Sequence, residues 1–151
     1  MQIDAYISGY VQDIIKDEGV VVRTQAAFIQ GIFGIGGESR GDIKVLVENR
    51  NTELTEEMLN ESLAGKIVVG GSFVSLNTFK KAMELKISGI VVGGFNYYDL
   101  ESILGYTLGV AITGSENIAT SLIVTEGYGE IPMSPQTVSY THLRAHETSR
   151  Y

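Results

Sequence analysis

The pentapeptide Ile-Val-Val-Gly-Gly occurs twice, at residues 67–71 and 90–94, and this repeat limits the possible folds more than any other feature of the sequence. Both copies are apolar runs without polar alternation, which is typical of parallel strands buried on both faces. The residues between them predict a helix that is capped by Ser75, buries Phe79 in an apolar stripe and ends at Gly89. The sequence therefore predicts a β-α-β unit with a right-handed crossover.

Further elements extend this repeat on both sides. Thr55 and Asn96 have the residue types that cap helices, and each is followed by acidic residues and an apolar stripe. The pattern predicts strands at residues 108–113 and 121–125, and helices at 55–63 and 97–104. The fold class that follows is α/β, with a small open, mostly parallel sheet built from β-α repeats.

The first third of the chain has a different pattern. Short runs rich in Val, Ile and Tyr alternate with turn residues at 16–19 and 34–41, which indicates strands and hairpins without helices. We therefore divide the chain into a β-rich N-terminal element at residues 1–53 and an α/β repeat domain at residues 54–137.

The C-terminal tail, residues 138–151, is set aside. Residues 138–148 resemble one reading frame of a sequencing-library adapter, whose codons GTC TCT TAT ACA CAT CTC CGA GCC CAC GAG spell Val-Ser-Tyr-Thr-His-Leu-Arg-Ala-His-Glu. Such additions are excluded before a fold is derived. We expect this tail to pack against nothing.

Without the tail, several chemistries are excluded. Both histidines, His142 and His146, lie in the adapter-like segment, and the chain has no cysteine. Residues 1–137 therefore cannot form a Ser-His-Asp triad, a Cys-His pair or a zinc site of Cys and His.

The charge balance argues against nucleic acid. Removing Arg144, Arg150 and Glu147 from 11 basic and 18 acidic residues leaves 9 and 17, a net charge of −8. An acidic surface repels phosphate backbones.

No apolar run is long enough to span a bilayer, so we expect no membrane insertion. The absence of cysteine is consistent with a cytoplasmic protein.

Several long motifs are similar to an uncharacterised bacterial family of α/β proteins. They are the segments 19–24, 27–38, 111–114 and 125–133, together with the paired pentapeptides. The resemblance implies a lipoyl-like (barrel-sandwich) β element before this segment and a KOW-like β barrel after it, so that the chain is truncated at both ends. It implies no activity and no catalytic residues.

The segment Gly34-Ile35-Gly36-Gly37 has two interpretations. It invites comparison with nucleotide-binding loops, but it lacks the G-x-G-x-x-G spacing, lacks a following Lys-Ser or Lys-Thr, and leads into a strand. A tight hairpin or a close crossing of two chain segments explains it better. The sequence assigns no cofactor.

The carboxyl ends of the predicted strands are the preferred candidate site. Ligands of open α/β sheets collect at this edge, and free N–H groups at helix starts bind anions. The alternative is that the glycines only let strand and helix pack closely. The candidate ligand-binding residues are Gly70, Gly71, Ser72, Gly93, Gly94, Asn96, Gly114, Ser115 and Glu126. Valine at Gly71 and Gly94 should then block the site and leave the chain folded.

Three function classes follow. The first, which we prefer, is a domain that binds a small polar or anionic ligand at these strand ends. The second is a structural module that binds a protein partner or a second copy of itself. The third is an enzyme in which Glu126 and Glu116 hold a divalent cation, because carboxylates are the only strong cation ligands in residues 1–137. Asp99 is assigned to helix capping.

Overall fold

The computed structural model describes residues 2–5, 7–112 and 120–139. The strands are β1 Tyr10–Ile15, β2 Gly19–Arg23, β3 Phe33–Ile35, β4 Ile43–Val45, β5 Ile67–Val69, β6 Gly89–Phe95 and β7 Ser121–Tyr128. The helices are α1 Leu76–Glu84 and α2 Tyr97–Ile112. The predicted α/β class is confirmed. Within the described ranges, no helix combines the length and apolar character that a membrane crossing needs.

The main sheet has five strands in the order β3-β7-β6-β5-β4 and is mostly parallel. β4, β5, β6 and β7 run parallel to one another, and β3 runs antiparallel beside β7. The two pentapeptides lie in adjacent parallel strands, with Val68 opposite Ile90 and Ile90 opposite Leu122. The arrangement predicted from the repeat and from residues 122–124 is confirmed. β3 and β4 come from residues 1–53, so both predicted regions contribute to one sheet.

The predicted strand at residues 108–113 is wrong. Residues 108–112 continue α2, which runs unbroken from Tyr97 to Ile112, and Thr113 lies outside the described residues. A short apolar run has no periodicity that separates a buried strand from a buried helical segment. β4 takes the place of the missing strand, because it pairs in parallel with β5.

The predicted helix at residues 55–63 is also wrong. Two 3-10 turns replace it, Glu56–Met58 and Glu61–Leu63. Thr55 makes no side-chain cap, and the Oδ1 atom of Asn60 accepts a hydrogen bond from the backbone N–H of Ser62 at 3.0 Å. An asparagine that binds the backbone beyond it competes with helix continuation, which divides this segment.

Helix α1 begins as predicted and ends earlier. The hydroxyl oxygen of Ser75 accepts a hydrogen bond from the N–H of Thr78 at 3.2 Å, and Phe79 is fully buried. The helix ends before Lys86, whose φ of 58° is left-handed and cannot continue a right-handed helix. Gly89 does not end the helix, because it is the first residue of β6.

Both helices cover the same face of the sheet. The chain steps across the sheet in one direction, from β4 through β5 and β6 to β7, and crossovers of one hand then place every connecting helix on one side. Phe79 of α1 and Ile103 of α2 accordingly join Ile90 and Leu122 in one buried cluster. Neither α1 nor α2 covers the opposite face of the sheet, where the backbone of residues 131–133 lies against Gly93.

A short α-helical segment, residues 135–139, follows β7 and is here named the C-terminal turn. The hydroxyl oxygen of Ser134 accepts a hydrogen bond from the N–H of Thr137 at 3.2 Å, and the N–H of Val138 donates to the carbonyl of Ser134 at 3.1 Å. Thr137 is buried. Val138 is half-buried and, with Ser139, completes this helical turn, so the expectation that the tail packs against nothing is wrong for its first residue. Residues 140–151 lie outside the described ranges.

Deletion of residues 138–151 should leave the melting temperature unchanged within a few degrees. The reason is that the deletion keeps Ser134, Thr137 and the hydrogen bond between them, and removes the backbone hydrogen bond from Val138 to Ser134. A thermal melt of both proteins by circular dichroism measures this. A decrease of many degrees would show that the tail is integrated into the fold.

Candidate functional site

The predicted site residues do not all follow strand ends. β5 ends at Val69, so Gly70, Gly71 and Ser72 come after it, but Gly93 and Gly94 lie within β6. Glu126 lies within β7. Gly114 and Ser115 lie outside the described residues.

The glycines at this edge allow two other segments of the chain to cross closely. A Cβ at Gly71 would overlap the carbonyl oxygen of Thr52, and a Cβ at Gly94 would overlap that of Gly129. At Gly93 the carbonyl oxygen of Ile131 occupies the same kind of position. Valine at Gly71 or Gly94 therefore clashes with backbone, and the expectation that such variants stay folded is wrong.

The polar groups of the edge are bonded within the chain. The N–H of Ser72 donates to Thr52 O at 3.1 Å, and that of Gly93 donates to Gly71 O at 2.8 Å. The hydroxyl of buried Ser72 donates to Asn51 O at 2.9 Å. These donors stabilise the crossing segments, so an anion would have to displace bonds that the chain already makes.

Asn96 caps helix α2. Its Oδ1 accepts hydrogen bonds from the N–H groups of Tyr98 at 2.9 Å and Asp99 at 3.3 Å. A ligand at this helix start would need the N–H groups of Tyr98 and Asp99, which already donate to Asn96. The geometry therefore gives Asn96 a structural role.

Glu126 lies beside open space. A cavity of about 300 Å³, here named the Glu126 cavity, is lined by residues of β7, of the segment before β3 and of the C-terminal turn. The lining residues include Phe28, Gln30, Thr125, Glu126, Ser134 and Gln136. The segment before β3 is far from the other two segments in the sequence.

The carboxylate of Glu126 is held in place. Its Oε1 accepts a hydrogen bond from the N–H of Ser134 at 2.8 Å, and the hydroxyl of Thr125 is 3.4 Å from the same oxygen. No described residue hydrogen-bonds to Oε2. One oxygen therefore fixes the side chain, and the other remains able to accept a bond.

The C-terminal turn has a sequence signal, although the predicted elements did not include it. Ser134 precedes Pro135, and serine followed by proline is a common start of a helix, because proline suits the first helical position. The signal predicts the turn. It does not predict that Gln136 lines one cavity together with Gln30 and Glu126.

The segment Gly34–Gly37 is a close crossing, as expected. Gly36 has φ 89°, and a Cβ there would lie 2.9 Å from the Cα of Ser121. Both observations require glycine at this position. The sequence alternative of a nucleotide loop that starts a helix is not what the backbone forms here.

The cation-dependent class has little support in the described ranges. No group of three or more His, Cys, Asp or Glu side chains is placed there to hold a metal ion, and Glu116 lies outside those ranges.

No protein family, curated protein or solved structure was found to match the chain. The case for a function therefore rests on the geometry of these residues.

Alanine at Gly94 should destabilise the domain strongly, because its Cβ would meet the backbone of Gly129. We expect the free energy of unfolding in a urea titration to fall by at least about 2 kcal/mol, the scale of overpacking in a rigid interior. Gly19→Ala is the control, since a Cβ at Gly19 meets no atom within 4 Å. Equal stability of the two variants would mean that the strand end is open after all.

Proposed function

We propose that this domain binds a small polar ligand in the Glu126 cavity. The observation that carries the proposal is that Glu126, alone among the candidate residues that the structure describes, lines this cavity. Gly71, Gly93 and Ser72 contact other segments of the chain instead. The ligand-binding class is kept, and its position moves from the strand edge to the side of β7.

The chemistry of the carboxylate restricts the ligand. An ionised carboxylate only accepts hydrogen bonds, and Oε2 of Glu126 has no described partner. A ligand group that meets it must donate a hydrogen bond, and a positive charge strengthens that bond. The sequence left polar and anionic ligands open. The carboxylate of Glu126 favours a polar ligand that carries hydrogen-bond donors.

The other walls favour an amine that also carries a hydroxyl. Gln30 and Gln136 each offer an amide that can both donate and accept. The ring of Phe28 is 84% exposed at the edge of the cavity, and aromatic faces attract ammonium groups. The volume of about 300 Å³ is at the small end of ligand sites.

A second candidate function, self-association, is favoured by the β1–β2 hairpin. Every residue of β1 is exposed, and the hairpin forms its own two-stranded sheet. Isolated two-stranded hairpins are marginal in water. The register pairs Val11 with Val22 and Ile14 with Val20, and these pairs share one face.

That face carries no charged side chain, so nothing opposes placing it against the same face of a second copy. A twofold dimer repeats one surface on both subunits and buries both hairpins face to face. The other face carries Asp13 and Arg23. We therefore infer a second copy of this chain as the partner of the apolar face.

Glu126→Gln should weaken the binding of ethanolamine, our probe for an amine with a hydroxyl. The substitution keeps an oxygen for the N–H of Ser134 and removes the charge. Because a hydrogen bond to a charged group contributes about 1.5–3 kcal/mol, we expect a loss of affinity of at least about tenfold. Backbone amide shifts in ¹H–¹⁵N spectra, with signals of Ser134 and Gln136 moving, measure binding.

Glu130→Gln is the matched control, since Glu130 is an exposed glutamate that does not line the cavity. Acetate and inorganic phosphate complete the probe set. Equal affinity of both variants for ethanolamine, no saturable shifts at these residues, or tighter binding of either anion would contradict the proposal.

Val20→Glu should dissociate the dimer, whereas Val21→Glu should not. The two valines are adjacent and point to opposite faces of β2, and they are 57% and 40% exposed. Light scattering after size-exclusion chromatography measures the mass of each protein. A monomeric parent protein, or the same mass for both variants, would count against self-association through this face.

A further inference from the structure

A second cavity, larger than the Glu126 cavity, lies on the sheet face opposite α1 and α2. Its volume is about 560 Å³, within the range of small-molecule sites. The amino-terminal ends of β5, β6 and β7 form its floor, and the turn at residues 36–39 forms one wall. We name it the turn cavity. It shares no lining residue with the Glu126 cavity.

The floor of the turn cavity is flat and apolar. Gly89 is paired with Ile67 on one side and with Ser121 on the other, so one row of the sheet lacks a side chain at its centre. The next row on this face is Val91 opposite Ile123, and Ile123 is 39% exposed. A flat floor with an apolar end suits a planar ring.

The wall is fixed to the floor by hydroxyl groups. The hydroxyl of Ser121 donates to the carbonyl of Gly37 at 2.6 Å, and the hydroxyls of Ser39 and Ser121 are 2.6 Å apart. A serine hydroxyl has one proton to donate. Since the proton of Ser121 points to Gly37, Ser39 must be the donor in the contact between the two serines.

This assignment leaves the polar side chains of the wall as acceptors. Ser39 has used its proton and keeps its lone pairs, and the carboxylate of Glu38 accepts only. Glu38 is also the one charged side chain among the described residues that line the cavity. A ligand that meets this wall must bring hydrogen-bond donors, and a positive charge is favoured over a negative one.

We infer that the turn cavity binds a flat, mainly apolar molecule that carries an ammonium group, such as an aromatic amine. The ring lies over Gly89 against Val91 and Ile123, and the ammonium group donates to Ser39 and Glu38. The inference concerns a different cavity and a more apolar ligand than the proposed function, and either can hold without the other.

Three probes separate the parts of this inference in titrations of the full 151-residue chain. Tryptamine has the ring and the ammonium group, 3-indolepropionate has the ring and a carboxylate, and propylamine has the ammonium group alone. Amide shifts in ¹H–¹⁵N spectra report where each one binds. We expect saturable binding of tryptamine with shifts at Gly37 and Gly89, binding of 3-indolepropionate to this cavity at least about tenfold weaker, and no saturation of the Gly37 and Gly89 signals by propylamine.

Two variants test the residues. Ile123→Lys places a positive charge on the floor and should abolish tryptamine binding, whereas Ile3→Lys, at an isoleucine that is 75% exposed and outside the cavity, should not. Ser39→Ala removes one acceptor and keeps the bond from Ser121 to Gly37, so it should weaken binding about threefold to tenfold without loss of fold.

Several results would overturn the inference. One is the absence of saturable tryptamine binding, and another is equal binding by the Ile123→Lys and Ile3→Lys proteins. Equal or tighter binding of 3-indolepropionate would show that backbone N–H groups of the turn, and not its side-chain acceptors, govern recognition. Shifts confined to Ser134 and Gln136 would move the ligand to the Glu126 cavity.

Discussion

The central strand β6 is hydrogen-bonded on both sides, and six of its seven residues are buried, so the rest of the domain is assembled around it. A strand in this position cannot present polar side chains on either face without leaving them unpaired. Its sequence satisfies that condition with Ile, Val, Gly and Phe alone. Because its glycines have no side chain, other backbone segments can also contact the strand directly.

The two faces of β6 are buried to different extents. Ile90 and Val92 point into the helix side and are fully buried. On the other side Gly93 lies under the backbone of residues 131–133, whereas Val91 remains half-buried. The segment after β7 therefore covers only part of the face opposite α1 and α2. Each cavity is lined by a different part of β7, one by Ser121 and Ile123 and the other by Thr125 and Glu126.

Local patterns predicted the elements whose evidence lies within one short segment. The cap at Ser75, the buried stripe of α1 and the parallel pairing of the pentapeptides are of this kind, and all are confirmed. Residues 108–112 were misassigned because an apolar run in a long helix resembles a buried strand. Pairing of β3 with β7 could not be predicted, because it joins segments that are distant in the sequence and that no local period relates. The cavities depend on the same distant pairings, which is why Gln30 and Ser39 were not candidates.

The paired glycines show why composition alone does not locate a binding site. A Gly-Gly sequence at a strand end satisfies two physical demands equally well, close approach of a ligand or close approach of another backbone. The space that a Cβ would occupy distinguishes them, because only one occupant can fill it. At Gly71 and Gly94 that space holds the carbonyl oxygens of Thr52 and Gly129. At Gly89 the nearest atom is the end of the flexible Ile67 side chain, at 3.0 Å. The absent side chain at Gly89 therefore leaves room that a ligand can use, whereas the absent side chains at Gly71 and Gly94 hold the fold together.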